Sequence, residues 1–323
     1  MLNIFIQQPQ GLARTTTQGS PARIPEEAIW LDLLEPTPEE EKLVESTLGI
    51  DVPTREEMKE IETSNRLYED EGALYMTTTV AAQLDTERPV GMAVTFILTG
   101  TRLVTNRYLD TKPFQLFIAY AEKHPAACAT PLALLAGIME AFTMRLADVL
   151  ERVGGDLDNL SGSIFAQRGN GTPDSRDLRR MIERIGFNGE LNSKSRESLV
   201  SLGRLLMFVQ QSAPMTGEQR DRFHSISRDV TSLSDHASFL GTKSSFLLEA
   251  TLGLINIEQN NIIKIFSIVA VMLMPPTLVA SIYGMNFHFM PELDWRFGYP
   301  LALLLMVVAG LIPYVFFKRR GWL

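Results

Sequence analysis

The hydrophobic rhythm of the chain changes three times. Over the first third, short runs rich in Val, Ile, Thr and aromatic residues alternate with polar segments. Ala28–Leu34, Gly72–Ala82 and Val90–Leu98 read as strands. Thr99 and Gly100 separate Phe96–Leu98 from Leu103–Thr105, which predicts a hairpin. Thr37, followed by Pro38 and by Glu39, Glu40 and Glu41, predicts a helix start with acids in the first turn. From Thr130 and Pro131 the period becomes helical and runs to about Arg152 or beyond, with Thr as cap and Pro in the first turn. Gly169–Pro173 breaks that pattern. A second helical stretch covers Asp174 to about Gln211 and stops at Ala213 and Pro214. Thr216 with Gln219 makes a capping-box start. No proline follows until Pro275, and the helical pattern continues through 217–283, roughly 100 Å if unbroken. Two helices with a joint are the alternative, since Gly241 and Gly253 weaken the run.

The last rhythm is apolar. Ile265–Tyr283 and Phe297–Phe317 contain no charged residue. Each run is about 20 residues, or roughly 30 Å as a helix, the thickness of a bilayer core. A soluble core helix of that length would show a polar stripe with charges. Two membrane spans are therefore expected, and a soluble enzyme is excluded. Met1–Gln8 lacks a basic leader and is not read as a signal peptide. Lys318, Arg319 and Arg320 follow the second span, whereas the loop over 284–297 has one Arg and no Lys. The positive-inside rule then places both termini in the cytoplasm.

Composition narrows the partners. A net charge of −8 argues against a nucleic-acid partner and suits a protein that concentrates cations. The single cysteine, Cys128, fits a reducing compartment and a small core position. His124, His224, His236 and His288 lack zinc spacing, and no Walker-type loop is present. No enzyme and no cofactor are expected, so anything moved must go down an electrochemical gradient.

On the first span, Asn260, Ile263, Ser267, Ala270, Met274, Thr277 and Ser281 fall three or four apart on one helical face. This small, polar stripe fits close helix packing or the lining of a narrow pore, and spacing alone leaves both open. Pro275 and Pro276 free carbonyls near Val271 and Met272, which need protein or a water-filled cavity beside them. The span ends at Gly284, an ordinary C-cap residue, with Asn286 in the turn. Glu292 and Asp294 lie in the loop beside Trp295, at the outer mouth.

Tyr283-Gly284-Met285-Asn286 at the end of the first of two C-terminal spans, then Met290-Pro291-Glu292-Leu293 and a basic tail, resembles the CorA magnesium transporters. Glu258–Phe266 and Met274–Ser281 look like the enterobacterial branch, and Glu62–Arg66 with Tyr68–Leu74 shares the family look. The likeness covers nearly the whole chain and is weakest over 125–225. A related zinc-transporting branch usually replaces the signature Met, which is kept here as Met285.

The resemblance implies a homopentameric funnel in the cell (inner) membrane. Its parts would be an α/β cytoplasmic domain (1–125), a cytoplasmic helical region (126–214), a stalk helix (215–261), a first transmembrane helix (262–283), an extracytoplasmic loop (284–297), a second transmembrane helix (298–317) and a basic cytoplasmic tail (318–323). It also implies that Gly284, Met285 and Asn286 form the selective entrance, with Asn286 as a ring. Thr277, Met274, Phe266 and Asn260 would follow along the pore, and Asp229, within Arg228–Val230, would be a regulatory acid that senses Mg²⁺. The expected function is Mg²⁺ uptake, with Co²⁺ and Ni²⁺ as further substrates and cytoplasmic Mg²⁺ as regulator. A zinc transporter and a non-transporting, membrane-anchored stalk protein are the alternatives.

Overall fold

The computed structural model describes residues 1–17, 23–60, 62–166, 175–286, 288, 290–291 and 294–322. Seven strands form one mixed sheet: β1 (Leu2–Gln8), β2 (Gly11–Thr17), β3 (Ala28–Leu34), β4 (Leu67–Asp70), β5 (Ala73–Ala82), β6 (Val90–Leu98) and β7 (Leu103–Arg107). Their order is β2-β1-β3-β7-β6-β5-β4, and only β3 and β7 run parallel. The expected hairpin is β6 and β7, paired antiparallel from Val94 opposite Arg107 to Leu98 opposite Leu103.

Side-chain alternation gives the sheet two covered faces. Leu2, Ile4, Leu31, Leu33, Ile97 and Val104 join Val44 of helix α1 (Pro38–Leu48) in one core. The capping box on α1 is complete: Glu40 N–H donates to Thr37 Oγ1 at 3.3 Å, and Thr37 N–H to Glu40 Oε2 at 2.9 Å. Gly49 then ends the helix at a φ of 65°. On the opposite face Phe5 stacks on Trp30 at 4.3 Å. Phe114 of helix α2 (Lys112–Ala121) meets Phe142 of helix α3 (Pro131–Ala166) edge-on at 5.6 Å.

That second face also carries buried polar residues. Asp32 is fully buried and accepts from Arg107 Nε at 2.8 Å, Arg107 Nη2 at 2.9 Å, Thr105 Oγ1 at 2.8 Å and Asn3 Nδ2 at 3.0 Å. Arg107 Nη1 donates to Asp110 at 2.7 Å, so both charges are matched in the low-dielectric interior. Asp85, in the β5–β6 loop, binds Lys112, Arg145 at 2.5 Å and Arg152 at 3.1 Å. These bonds, that of Lys112 first, hold its carboxyl well below the usual carboxylate range.

Helix α4 (Ser175–Ser212) and helix α5 (Gly217–Tyr283) extend the helical layer begun by α3. Thr216 and Gln219 form the expected box, with N–H donors at 3.0 and 3.3 Å. On α5 between Phe223 and Thr251 the buried positions are Phe223, Ile226, Val230, Ala237, Leu240, Ser244, Leu247 and Thr251. Steps of three and four recur among them, the seven-residue repeat of helices that pack as a bundle. A Cβ on Gly203 of α4 would sit 3.7 Å from Val230, and one on Gly154 of α3 would sit 3.6 Å from Leu240. Arg222 of α5 grips Glu140 of α3 through two bonds of 2.7 Å. The expected break over Gly169–Pro173, and Asp174, lie outside the described residues.

The chain divides into two compact units. One comprises Met1–Ala166 with Arg180–Leu248, the other Gln167–Arg179 with Glu249–Leu323. Helix α6 (Gly298–Arg319) belongs to the second.

Candidate functional site

Among the described residues, the second unit contains two stretches long and apolar enough to cross a membrane, one within α5 and the other α6. The α5 helix runs unbroken through Pro275 and Pro276. Along its apolar stretch the covered positions form one strip: Lys264, Ile268, Met272, Pro275, Pro276, Val279 and Tyr283, with Ile268 at 2% exposure. The matching strip on α6 is Ala302, Met306, Gly310, Pro313 and Phe317. The two meet at Gly310, where a Cβ would lie 3.4 Å from Pro276 Cγ and 3.6 Å from the Met272 carbonyl oxygen. Pro276 has no N–H, so that carbonyl loses its helical partner. It rests against α6. The sequence allowed either protein or a water-filled cavity beside it, and at Met272 the neighbour is protein.

The polar stripe lies elsewhere. At about 100° per residue, Asn260, Ile263, Ser267, Ala270, Met274, Thr277 and Ser281 centre roughly 160° round the helix from the strip that meets α6. All seven are exposed. Packing of α5 on α6 therefore leaves this face free. The Thr277 hydroxyl donates to the Leu273 carbonyl at 2.7 Å. Phe266 flanks the stripe at 71% exposure.

At the end of α5, Gly284 N–H still bonds the Ala280 carbonyl at 2.9 Å, and Met285 N–H reaches Ile282 at 3.3 Å. Gly284 is not a left-handed cap, since the positive-φ glycines among the described residues are Gly11, Gly49, Gly72 and Gly321. The backbone is close here: a Cβ would come within 3.1 Å of the Ala280 oxygen. Asn286 follows, outside the helix and exposed. Asp294 is exposed next to Trp295, whose ring meets Phe297 at 6.0 Å. Glu292 lies outside the described residues.

Asp229 sits exposed on α5 between Ile226 and Val230, and no hydrogen bond or ion pair engages it among the described residues. Also among the described residues, no three His, Cys, Asp or Glu side chains converge to hold a metal. The oxygens on the exposed face and beyond its end are neutral hydroxyls and amides, which hold water rather than a bare ion. One stripe on one chain cannot enclose anything. The residue that sequence reasoning missed is Gly310. Its signal was the small pair Ala309–Gly310 in an otherwise bulky span, a motif that lets helix backbones approach in lipid.

Comparison with known proteins gives the family and the fold. Residues 25–319 match the family described as CorA-like Mg²⁺ transporter protein. The chain is 38% identical to the magnesium transport protein CorA of Salmonella typhimurium and 37% identical to that of Escherichia coli K12. Both alignments run over 324 residues and cover 100% of each chain. The complete structure of the CorA magnesium transporter from Methanocaldococcus jannaschii shares the fold, with a TM-score of 0.76 at 21% identity over 100% of this chain and 99% of that one. With its length matched from end to end and its two apolar helices where those relatives end, the chain belongs to the CorA-like Mg²⁺ transporter family.

Proposed function

We propose that copies of this chain, five by the family resemblance, bring their α5 stripes together around an axis and conduct Mg²⁺ across the membrane. The observation that carries this reading is the free polar face of α5, turned away from α6, its membrane partner within the chain. The Asn260 amide would cost roughly 2 kcal/mol or more if left facing hydrocarbon without a partner, so the face is better placed against water or another copy. Asn286 is assigned to a ring at the entrance, with Gly284 and Met285 shaping its approach. Thr277, Met274, Phe266 and Asn260 follow along the path. Asp294 and Glu292 are assigned to the acidic outer loop.

The chemistry suits the ion. Mg²⁺ holds six oxygens at about 2.0–2.1 Å and gives up water reluctantly. Amide oxygens accept hydrogen bonds from that shell without stripping it, and binding stays weak enough for release. Co²⁺ and Ni²⁺ are assigned as further substrates. Cytoplasmic Mg²⁺ is assigned as the closing ligand, with Asp229 as one acid that it neutralises. Lys318, Arg319 and Arg320 at the C-terminal end of α6 support cytoplasmic termini.

Purified protein in liposomes carrying a fluorescent Mg²⁺ reporter tests the reading. Asn286→Ala should abolish uptake while the oligomer keeps its mass. Flux retained in that variant removes the entrance assignment, and faster flux of Zn²⁺ than of Mg²⁺ replaces the substrate.

A further inference from the structure

We infer that one face of α6 holds an anionic phospholipid, with its phosphate on Arg319 and Arg320 and an acyl chain along Val308, Leu311, Ile312 and Val315. These six residues, with Phe316, border an open groove of about 640 Å³. They recur at steps of three and four and so occupy one strip of the helix. Gly310 and the rest of the strip that meets α5 lie on another side, and the four apolar residues of the groove all remain exposed.

The groove has two chemically distinct parts. Four aliphatic side chains line about two turns, and two guanidiniums close the end. No ion pair engages Arg319 or Arg320 among the described residues, and the Arg320 guanidinium lies 5.5 Å over the Phe316 ring, beside the groove. Lys318 turns away to the Tyr314 ring at 5.7 Å. A planar guanidinium fork matches a phosphate through paired hydrogen bonds, and basic residues at the end of a membrane helix attract anionic headgroups. A free phosphate would use the arginines and leave the aliphatic strip without an occupant. A second copy of the chain has no charge within its two apolar runs, and Glu258, the last acid before the first run, is already engaged. A lipid supplies both halves: charge at the interface and a chain lying along the helix.

The inference rests on α6 crossing the bilayer and does not require conduction. Purified, delipidated full-length oligomer, titrated with phosphatidylglycerol or phosphatidylcholine and read by native mass spectrometry, tests it. Phosphatidylglycerol should bind about tenfold more tightly, and Arg319→Gln with Arg320→Gln should bring it to the level of phosphatidylcholine. Val315→Trp, which fills the groove, should weaken both lipids, whereas Lys318→Gln should leave the preference nearly intact. Equal affinity for the two lipids overturns the inference. So does a Lys318→Gln effect as large as that of the paired arginine change, which would indicate diffuse charge. Competition by inorganic phosphate as strong as by the lipid would also overturn it, as would loss of the oligomer in Val315→Trp with lipid binding unchanged. Mg²⁺ flux from the same preparations reports on the pore separately, so either reading can fail while the other stands.

Discussion

Between Phe223 and Leu247, α5 turns most of its apolar residues inward to α3 and α4 and leaves charge outside, with Phe239 and Phe246 the exposed exceptions. Between Asn260 and Ser281 the same helix does the reverse: bulky apolar residues surround it, and the small polar ones gather on a single free face. Burial follows the surrounding solvent. In water the seam is apolar because burying it removes hydrocarbon from water. In lipid that force vanishes between helices, and the polar groups need the company.

A matched pair of substitutions tests this contrast most strongly. Val230→Ala opens a cavity beside Gly203 and should cost about 2 kcal/mol, read as a lower unfolding midpoint of the full chain in detergent. Val269→Ala, at a position 46% exposed on the apolar stretch, should shift it by less than about 0.5 kcal/mol. Equal shifts would erase the distinction between the stretches. Gly310→Ile should press on Pro276 and the Met272 carbonyl and cost about 1.5 kcal/mol, with Gly310→Ala close to neutral. If the isoleucine is accepted without loss, α6 does not seat there. Thr277→Val keeps the shape and removes the hydroxyl. Mg²⁺ flux should fall about tenfold, or about 1.4 kcal/mol in barrier, with the unfolding midpoint unmoved; unchanged flux would turn the stripe away from the ion.

The smallest effect belongs to the water-facing unit. The Asp85 carboxyl is depressed in the folded chain by Lys112, Arg152 and Arg145. Its stabilisation is therefore complete above the ordinary Asp value, near about pH 4, and is lost as pH falls through the depressed one. With the side chain 37% exposed, solvent screening limits the contribution to about 1 kcal/mol or less. Asp85→Asn should flatten the acid limb of a stability–pH curve and leave neutral-pH flux unaltered. An unchanged acid limb would show that the three cations do not hold it.

Local chemistry made much of the fold readable. Thr37 with Glu40, and Thr216 with Gln219, announce their helices because cap and partner are three residues apart. The β3 and β6 strands show through β-branched and aromatic runs. By contrast, β1, β2, β4 and α2 escaped the sequence reading. In β1, Asn3 looks like a surface residue until Asp32, 29 positions away, is seen to accept its bond. Arg107 lies 75 positions from the same carboxylate, a pairing that no local pattern shows. At the candidate site the spacing of the stripe was legible. The side of α5 that α6 takes was not, because apolar residues occur on both, and only Gly310 against Met272 decides it.

Thr277 has already given its one proton to the Leu273 carbonyl. What it can offer a passing solute is lone pairs only. Chloride binds through protons and would find none at that hydroxyl, whereas the shell water of a cation arrives hydrogen-first and meets oxygen. Along the proposed path, the sign of the permeant ion would thereby be favoured by a bond made within one turn of backbone, with no formal charge in the span.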